Sequence, residues 1–227
     1  ALSLVGSEMC IRDSNKGKDI SDVAKWYGEF AKWAETQGGV YDSMTVALLQ
    51  PYFHRDLASH DFMWVNNWPD SAAQFKGLEV WTKDPKANAL FAKLPAKNSQ
   101  VVSTVQWAIS QPRSTDAGNF ILAQYNSCKL NEGTSLRTYY DAYVDFAKMA
   151  QENGDVQGRK LIIPGPGYDG DADFIRLVYT SAVSERGEGI EFWRSELRDT
   201  DERRALVGMA DCGNGSIYVG PVLRSPN

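Results

Sequence analysis

Apolar residues recur twice in this chain at the spacing of a helix that buries one face. Between Asn15 and Gly38 they fall at Ile20, Val23, Tyr27, Phe30, Ala31 and Ala34. Between Asn131 and Gly154 they fall at Leu136, Tyr139, Tyr143, Phe146, Ala147 and Ala150. The two stretches lie 116 positions apart and align without a gap, with identity at Asn15, Gly17, Tyr27, Phe30, Ala31, Lys32, Ala34 and Gly38. An echo at a fixed offset is the signature of an internal repeat, so the chain reads as a tandem duplication.

The remaining elements follow the same plan. Val40 to Phe53, rich in β-formers, reads as a strand ending near Pro51. Asp61 to Asn66 (DFMWVN) reads as a second, with a counterpart 112 positions on at Asp173 to Val178 (DFIRLV). Gly77 and Gly189, Glu79 and Glu191, and Trp81 and Trp193 keep that offset, which predicts a second long helix in each copy, opening near Pro69 and Asp70 in the first. Lys86 to Leu94 and Asp201 to Met209 predict short helices, and Gln100 to Ile109 and Ser216 to Leu223 closing strands. Asn119 to Cys128 is strand-like and precedes the second repeat's first helix.

Each half is therefore expected to be a β-α-β-β-α-β, ferredoxin-like unit: residues 15–113 and 117–227, divided at the polar segment Gln111 to Gly118. A four-stranded sheet with helices on one face leaves the other bare, and two units solve this by packing sheet to sheet as a pseudo-dimer, an α+β fold. This order of elements resembles the dimeric α+β-barrel superfamily of antibiotic-biosynthesis monooxygenase, EthD and NIPSNAP-type domains, here fused in tandem. The resemblance implies a fold more than a function, because that superfamily includes small-molecule oxygenases, isomerases, haem-handling enzymes and proteins without known activity. Residues 1–14 stand apart. Leu4 to Ser14, LVGSEMCIRDS, resembles the in-frame translation of a sequencing-library adapter, and it is expected to occupy the position of the first unit's first strand.

Composition narrows the function classes. With 43% hydrophobic and 23% charged residues the chain has the makeup of a globular protein. The formal charge of −5, of which Glu8 and Asp13 against Arg12 supply −1, comes without a Lys/Arg cluster, so neither nucleic acid nor an anionic membrane surface is an expected partner. No run approaches the roughly 18 apolar residues of a membrane-spanning helix. Cys128 and Cys212 are expected to approach each other, since the first and last strands of such a unit are neighbours. A bridge between them would point to an exported protein, and the compartment is otherwise open.

Candidate chemistry rests on strand alternation. Met63, Val65, Ile175 and Leu177 suit the helix-covered side, which would turn Phe62, Trp64, Asn66, Phe174, Arg176 and Val178 between the sheets; Gln124, Asn126 and Cys128 share one face of their strand. Arg176, Trp64, Asn66, Gln124 and Asn126 are thus the expected ligand-binding set, for a small anionic, partly apolar molecule whose charge Arg176 would meet. An internal ion pair of Arg176 with Glu191 or Asp173 is the alternative. The candidate catalytic groups are Glu79 and Glu191, each near a tryptophan that would raise a carboxyl pKa, and His60; the alternatives are a helix-end contact in both copies and, for His54 and His60, a place at the surface. Asp169, Asp171 and Asp173 open like a calcium loop, but an EF-hand needs Gly at Phe174 and Glu at Thr180, so a tight acidic turn is expected. No metal site or cofactor is expected. Two readings follow: a binding protein or cofactor-independent enzyme, or a non-catalytic module with a packed interior. The chain is expected as a pseudo-dimeric monomer or a homo-oligomer.

Overall fold

The two repeated stripes form the two longest helices. In this computed structural model, which describes residues 4–114 and 120–226, helix α1 (Ile20–Glu35) starts at a capping box in which Asp19 accepts from the Ser21 and Asp22 backbone amides, and it buries Val23, Tyr27, Phe30, Trp33 and Ala34. Helix α4 (Leu136–Glu152), capped by Ser135, buries Tyr139, Tyr143, Phe146, Ala147 and Ala150. The others are α2 (Ser71–Lys83), α3 (Pro85–Phe91), α5 (Val183–Phe192), continued by a π-helical turn at Trp193–Leu197, and α6 (Asp201–Met209). None of them is long and apolar enough to cross a membrane.

The strands are β1 (Leu4–Ser14), β2 (Thr45–Phe53), β3 (Phe62–Trp68), β4 (Ala96–Ser110), β5 (Phe120–Leu130), β6 (Gly158–Pro164), β7 (Phe174–Thr180), the short β8 (Ala210–Cys212) and β9 (Ser216–Arg224). The expected strand from Val40 begins only at Thr45, because Gly38 and Gly39, at φ 60 and 83°, turn the chain first. All pairings are antiparallel, in the order β7-β6-β4-β1-β3-β2-β9-β5-β8, and β7 pairs back to β5 to close an eight-stranded barrel. Within it the first half contributes β4-β1-β3-β2 and the second β9-β5-β7-β6. Seams β4–β6 and β2–β9 join them, with a register shift in each. At the second seam Gly220 has no alternative: a Cβ there would lie 1.8 Å from the Leu48 carbonyl oxygen.

This corrects the expectation that two sheets stack face to face. Joining at their edges leaves no barrel strand unpaired, which removes the exposed-edge problem that stacking would keep. The adapter-like segment is β1, paired with β3 on one side and β4 on the other. Of the segment expected to divide the halves, residues 115–118 lie outside the described residues, as does position 117, the expected start of the second unit.

The faces are also the reverse of those expected. Met63, Val65, Ile175 and Leu177 point into the barrel, where they pack with Met9, Leu49, Ala123 and Ile162. Phe62 and Trp64 face out under α1, and Phe174 faces out under α4. Alternation along a strand separates two faces without saying which is inside. The barrel interior takes aliphatic side chains together with the Tyr179 and Tyr218 rings, whereas the layer between sheet and helices takes the tryptophans and phenylalanines.

Lys160 of β6 is turned into the barrel's polar end. Its Nζ donates to Gln106 Oε1 at 3.1 Å and lies 5.6 Å from the Tyr179 ring, and no carboxylate pairs with it among the described residues. Burial pushes its pKa down to about 8. The unfolded chain therefore binds more protons than the native state between about pH 8 and the ordinary lysine value, and stability should rise with pH across that window. Lys160→Met is expected to stabilise the protein at pH 7 by about 1–2 kcal/mol, a gain that shrinks as the pH rises from about 8 towards the ordinary lysine value; urea titrations of wild type and variant at pH 7 and 10 check both the gain and its loss.

Candidate functional site

The expected ligand-binding residues divide between two cavities, both lying between the outer face of the barrel and the helices. The larger, about 270 Å³, belongs to the second half. Its floor is Gln124 and Asn126 of β5, Arg159 of β6, and Arg176 and Val178 of β7. Its roof is Tyr143 and Phe146 of α4, Arg186, Gly189 and Ile190 of α5, Trp193, and Arg203 and Leu206 of α6. Trp64 and Asn66 line instead a cavity of about 150 Å³ in the first half, walled by Trp26, Phe30, Tyr41, Trp68 and Trp81. There the Trp64 indole donates to Asn66 Oδ1 at 2.6 Å, and the Arg12 guanidinium lies 5.1 Å from the Trp64 ring. Among the described residues, neither of these two cavities joins Trp64 and Asn66 with Asn126 and Arg176.

The larger cavity is lined by four arginines and no carboxylate. Arg159 is neutralised from behind by Asp155, both side chains being almost fully buried, and it also donates to the Gln157 carbonyl at 3.2 Å. Arg186 is held by the side-chain oxygens of Gln157 and Gln124. Gln124 donates in turn to Asn126 Oδ1 at 3.1 Å, and Asn126 to the Gly213 carbonyl at 2.9 Å. Arg176 and Arg203 have no carboxylate partner: neither enters an ion pair among the described residues, and Arg176 has only the Tyr139 and Tyr143 hydroxyls beside it. The alternative partners of Arg176 are engaged elsewhere, Glu191 with Arg194 at 2.9 Å and Asp173 with the Leu130 amide at 2.8 Å. The Nε atoms of Arg176 and Arg186 are buried and without an acceptor. Burial lowers the pKa of Arg203, and the charge of Arg176 lowers it further; Arg186 is lowered by burial and then by Arg159.

The candidate catalytic groups fare differently. Glu79 and Glu191 both point to solvent, paired with Lys83 and Arg194. The Lys83 contact holds the Glu79 pKa below the carboxylate range, opposite to the expected rise, because one helical turn faces the acid outward while Trp81 packs inward on Phe30 and Trp33. His60 is buried rather than superficial: it is stacked on Tyr218 at 5.8 Å, with its Nδ1 2.9 Å from the Ser59 hydroxyl, and His54 packs edge-on to it. Burial lowers its pKa. The acidic turn is held by structural contacts, Asp169 accepting from Gln100 and Asp171 lying 3.7 Å from Lys129. Among the described residues no cluster of His, Cys, Asp and Glu could hold a metal.

No protein family matches this chain, and no curated protein is recognisably similar to it in sequence. Solved structures are similar in fold. A proposed monooxygenase from Lactobacillus acidophilus superposes with a TM-score of 0.57 at 6% identity, covering 98% of this chain and 95% of that one. An arginine-to-alanine variant of the chlorite dismutase from Candidatus Nitrospira defluvii gives 0.53 at 12% identity, covering 98% and 92%. A tryptophan-to-phenylalanine variant of the same enzyme in complex with cyanide gives 0.52 at 13%, with the same coverage. The fold is that of the dimeric α+β barrel. At these identities the likeness extends to the fold alone.

Arg159, Arg186 and Arg203 were not read as site residues from sequence. A signal existed: Arg186, Gly189 and Ile190 share one face of α5, and Arg203 and Leu206 one face of α6, so each arginine interrupts an inward stripe.

Proposed function

We propose that this protein binds a small anionic molecule with an apolar body in the cavity of its second half. The observation that carries this is the lining of four arginines against the single carboxylate of Asp155. A buried cation without a counter-charge is costly, and a bound anion supplies that charge through paired guanidinium contacts. Phe146, Ile190, Trp193 and Leu206 supply the apolar part of the roof, and the volume suits a ligand at or below the small end of drug-sized sites, about 300 Å³. The ligand-binding residues in this reading are Arg176, Gln124 and Asn126 with Arg203 and Arg186.

Haem, which part of the superfamily handles, does not fit these residues. Its iron requires an axial His, Cys, Met or Tyr. The lining offers only Tyr143, whose hydroxyl is pushed further from ionisation by burial, and the two histidines sit at the barrel end beside Tyr218. The chemistry assigned to this cavity is therefore that of its own side chains: guanidinium recognition of an oxyanion in a water-poor site.

In the same reading the halves are tandem copies. Phe30 and Phe146 occupy α1 and α4, Gly77 and Gly189 occupy α2 and α5, and Trp81 and Trp193 follow the latter pair by four positions. Trp64 of the aromatic cavity, on β3, stands where Arg176 stands on β7 in the other, so divergence has exchanged a ring for a charge.

Calorimetry with benzoate and phenylacetate tests the reading. Arg176→Met is expected to weaken binding about 10- to 100-fold, the worth of a charge-assisted contact, while leaving the unliganded fold intact or more stable. Equal affinity in wild type and variant overturns the site.

A further inference from the structure

The arginine count says more about the ligand than its sign. Arg159 has its counter-charge in Asp155, and Arg186 is fixed by two amide oxygens but remains cationic; Arg176 and Arg203 are uncompensated. Three positive charges thus face a cavity of about 270 Å³. A single carboxylate would leave two of them unbalanced in a buried site. It would also leave Arg176 and Arg203, which line the same cavity, as like charges facing one ligand.

We propose that the cavity selects an organic dianion, specifically a phosphate monoester of a small apolar group. This rests on the reading of the cavity as an anion site and adds the charge and class of the headgroup. A phosphate monoester carries about −1.5 to −2 charges at neutral pH and three strong acceptor oxygens. Those oxygens match a set of guanidinium donors converging from different elements: Arg176 on β7, Arg203 on α6 and Arg186 on α5. The Nε atoms of Arg176 and Arg186, buried and without acceptors, supply donors that a planar carboxylate, with its oxygens in one plane, meets less completely. Arg186 is already oriented by the Gln124, Asn126 and Gly213 chain, so ordering it costs little on binding. The ester's apolar part lies against Ile190, Trp193 and Leu206, apolar side chains of the same roof.

The test compares phenyl phosphate with benzenesulfonate and benzoate on the wild-type protein by calorimetry. Phenyl phosphate at pH 7.5 is expected to bind at least about tenfold more tightly than either monoanion, and its advantage should fall as the pH drops through about 6, where the second phosphate proton returns. Arg203→Gln should reduce the phosphate-to-sulfonate affinity ratio, with circular dichroism checking its fold. If all three ligands bind equally and Arg176→Met weakens them alike, the dianion inference is overturned while the anion site stands. If none binds, or Arg176→Met changes nothing, the site reading itself falls and this inference with it.

Discussion

Replacing Asp155 by alanine is expected to cost about 3–5 kcal/mol of stability, the penalty for breaking a buried ion pair from one side. The Asp155 and Arg159 side chains are 0% and 4% exposed, and Arg159 lies beneath α4 with its guanidinium 5.5 Å from the Phe146 ring. The variant strands Arg159 as a fourth uncompensated cation in a cavity that already holds three. Urea denaturation measures the loss; a change under about 1 kcal/mol would show that the pair is worth no more than a solvated one. Asp155→Ala combined with Arg159→Met should recover most of the loss, since the double change removes the orphaned charge along with its partner. The single variant should also bind phenyl phosphate more tightly, which a purely structural role for Asp155 does not predict.

Cys128 and Cys212 face each other across β5 and β8 with Cα atoms 4.1 Å apart and are joined by a disulfide. The expected approach of the two thiols is therefore found, and the pair is bonded; the compartment is not fixed by it. The bridge spans 84 positions of sequence, a loop whose closure is worth about 4–5 kcal/mol in the chain-entropy limit and about 2–4 kcal/mol in practice. Reduction, or Cys128→Ser with Cys212→Ser, should lower Tm by roughly 5–15 °C. The bond ties down the strand that follows α6, and α6 carries Arg203 and Leu206 into the cavity. Hydrogen exchange over residues 201–209 should accelerate on reduction more than over α1. Equal acceleration in both helices would show that the bridge acts on global stability alone.

The helical stripes, the order of elements and the charge of Arg176 were readable because each is a local property. Tyr139, Tyr143 and Phe146 recur at 3.6-residue spacing whatever they pack against, and they are buried in α4 as that spacing requires. Which side of a strand is inside depends on how the sheets join, and that is decided by seams between residues far apart in sequence, such as Val105 with Ile163 and Ala47 with Val222. Inverting the faces therefore sent Trp64 and Asn66 to the wrong company while leaving Gln124, Asn126 and Arg176 together, since these three sit on paired positions of β5 and β7 and turn over as a group. Glu79 and Glu191 misled because the shared Gly-x-Glu-x-Trp pattern marks two opposite helix faces: the buried glycines Gly77 and Gly189 lie on the inner one and the acids on the outer.

The seam between β2 and β9 also sets a schedule for synthesis. A chain emerging from the ribosome can complete β4-β1-β3-β2 early, but β2 gains its outer neighbour only when β9, the last of the barrel strands in chain order, is available. Until then Thr45 to Phe53 presents a row of free backbone donors and acceptors to whatever is nearby. The other edge, β4, is covered sooner, by β6. The interval between those two events is when a nascent chain is most open to pairing with a neighbour's strand, and slower translation after β6 lengthens it.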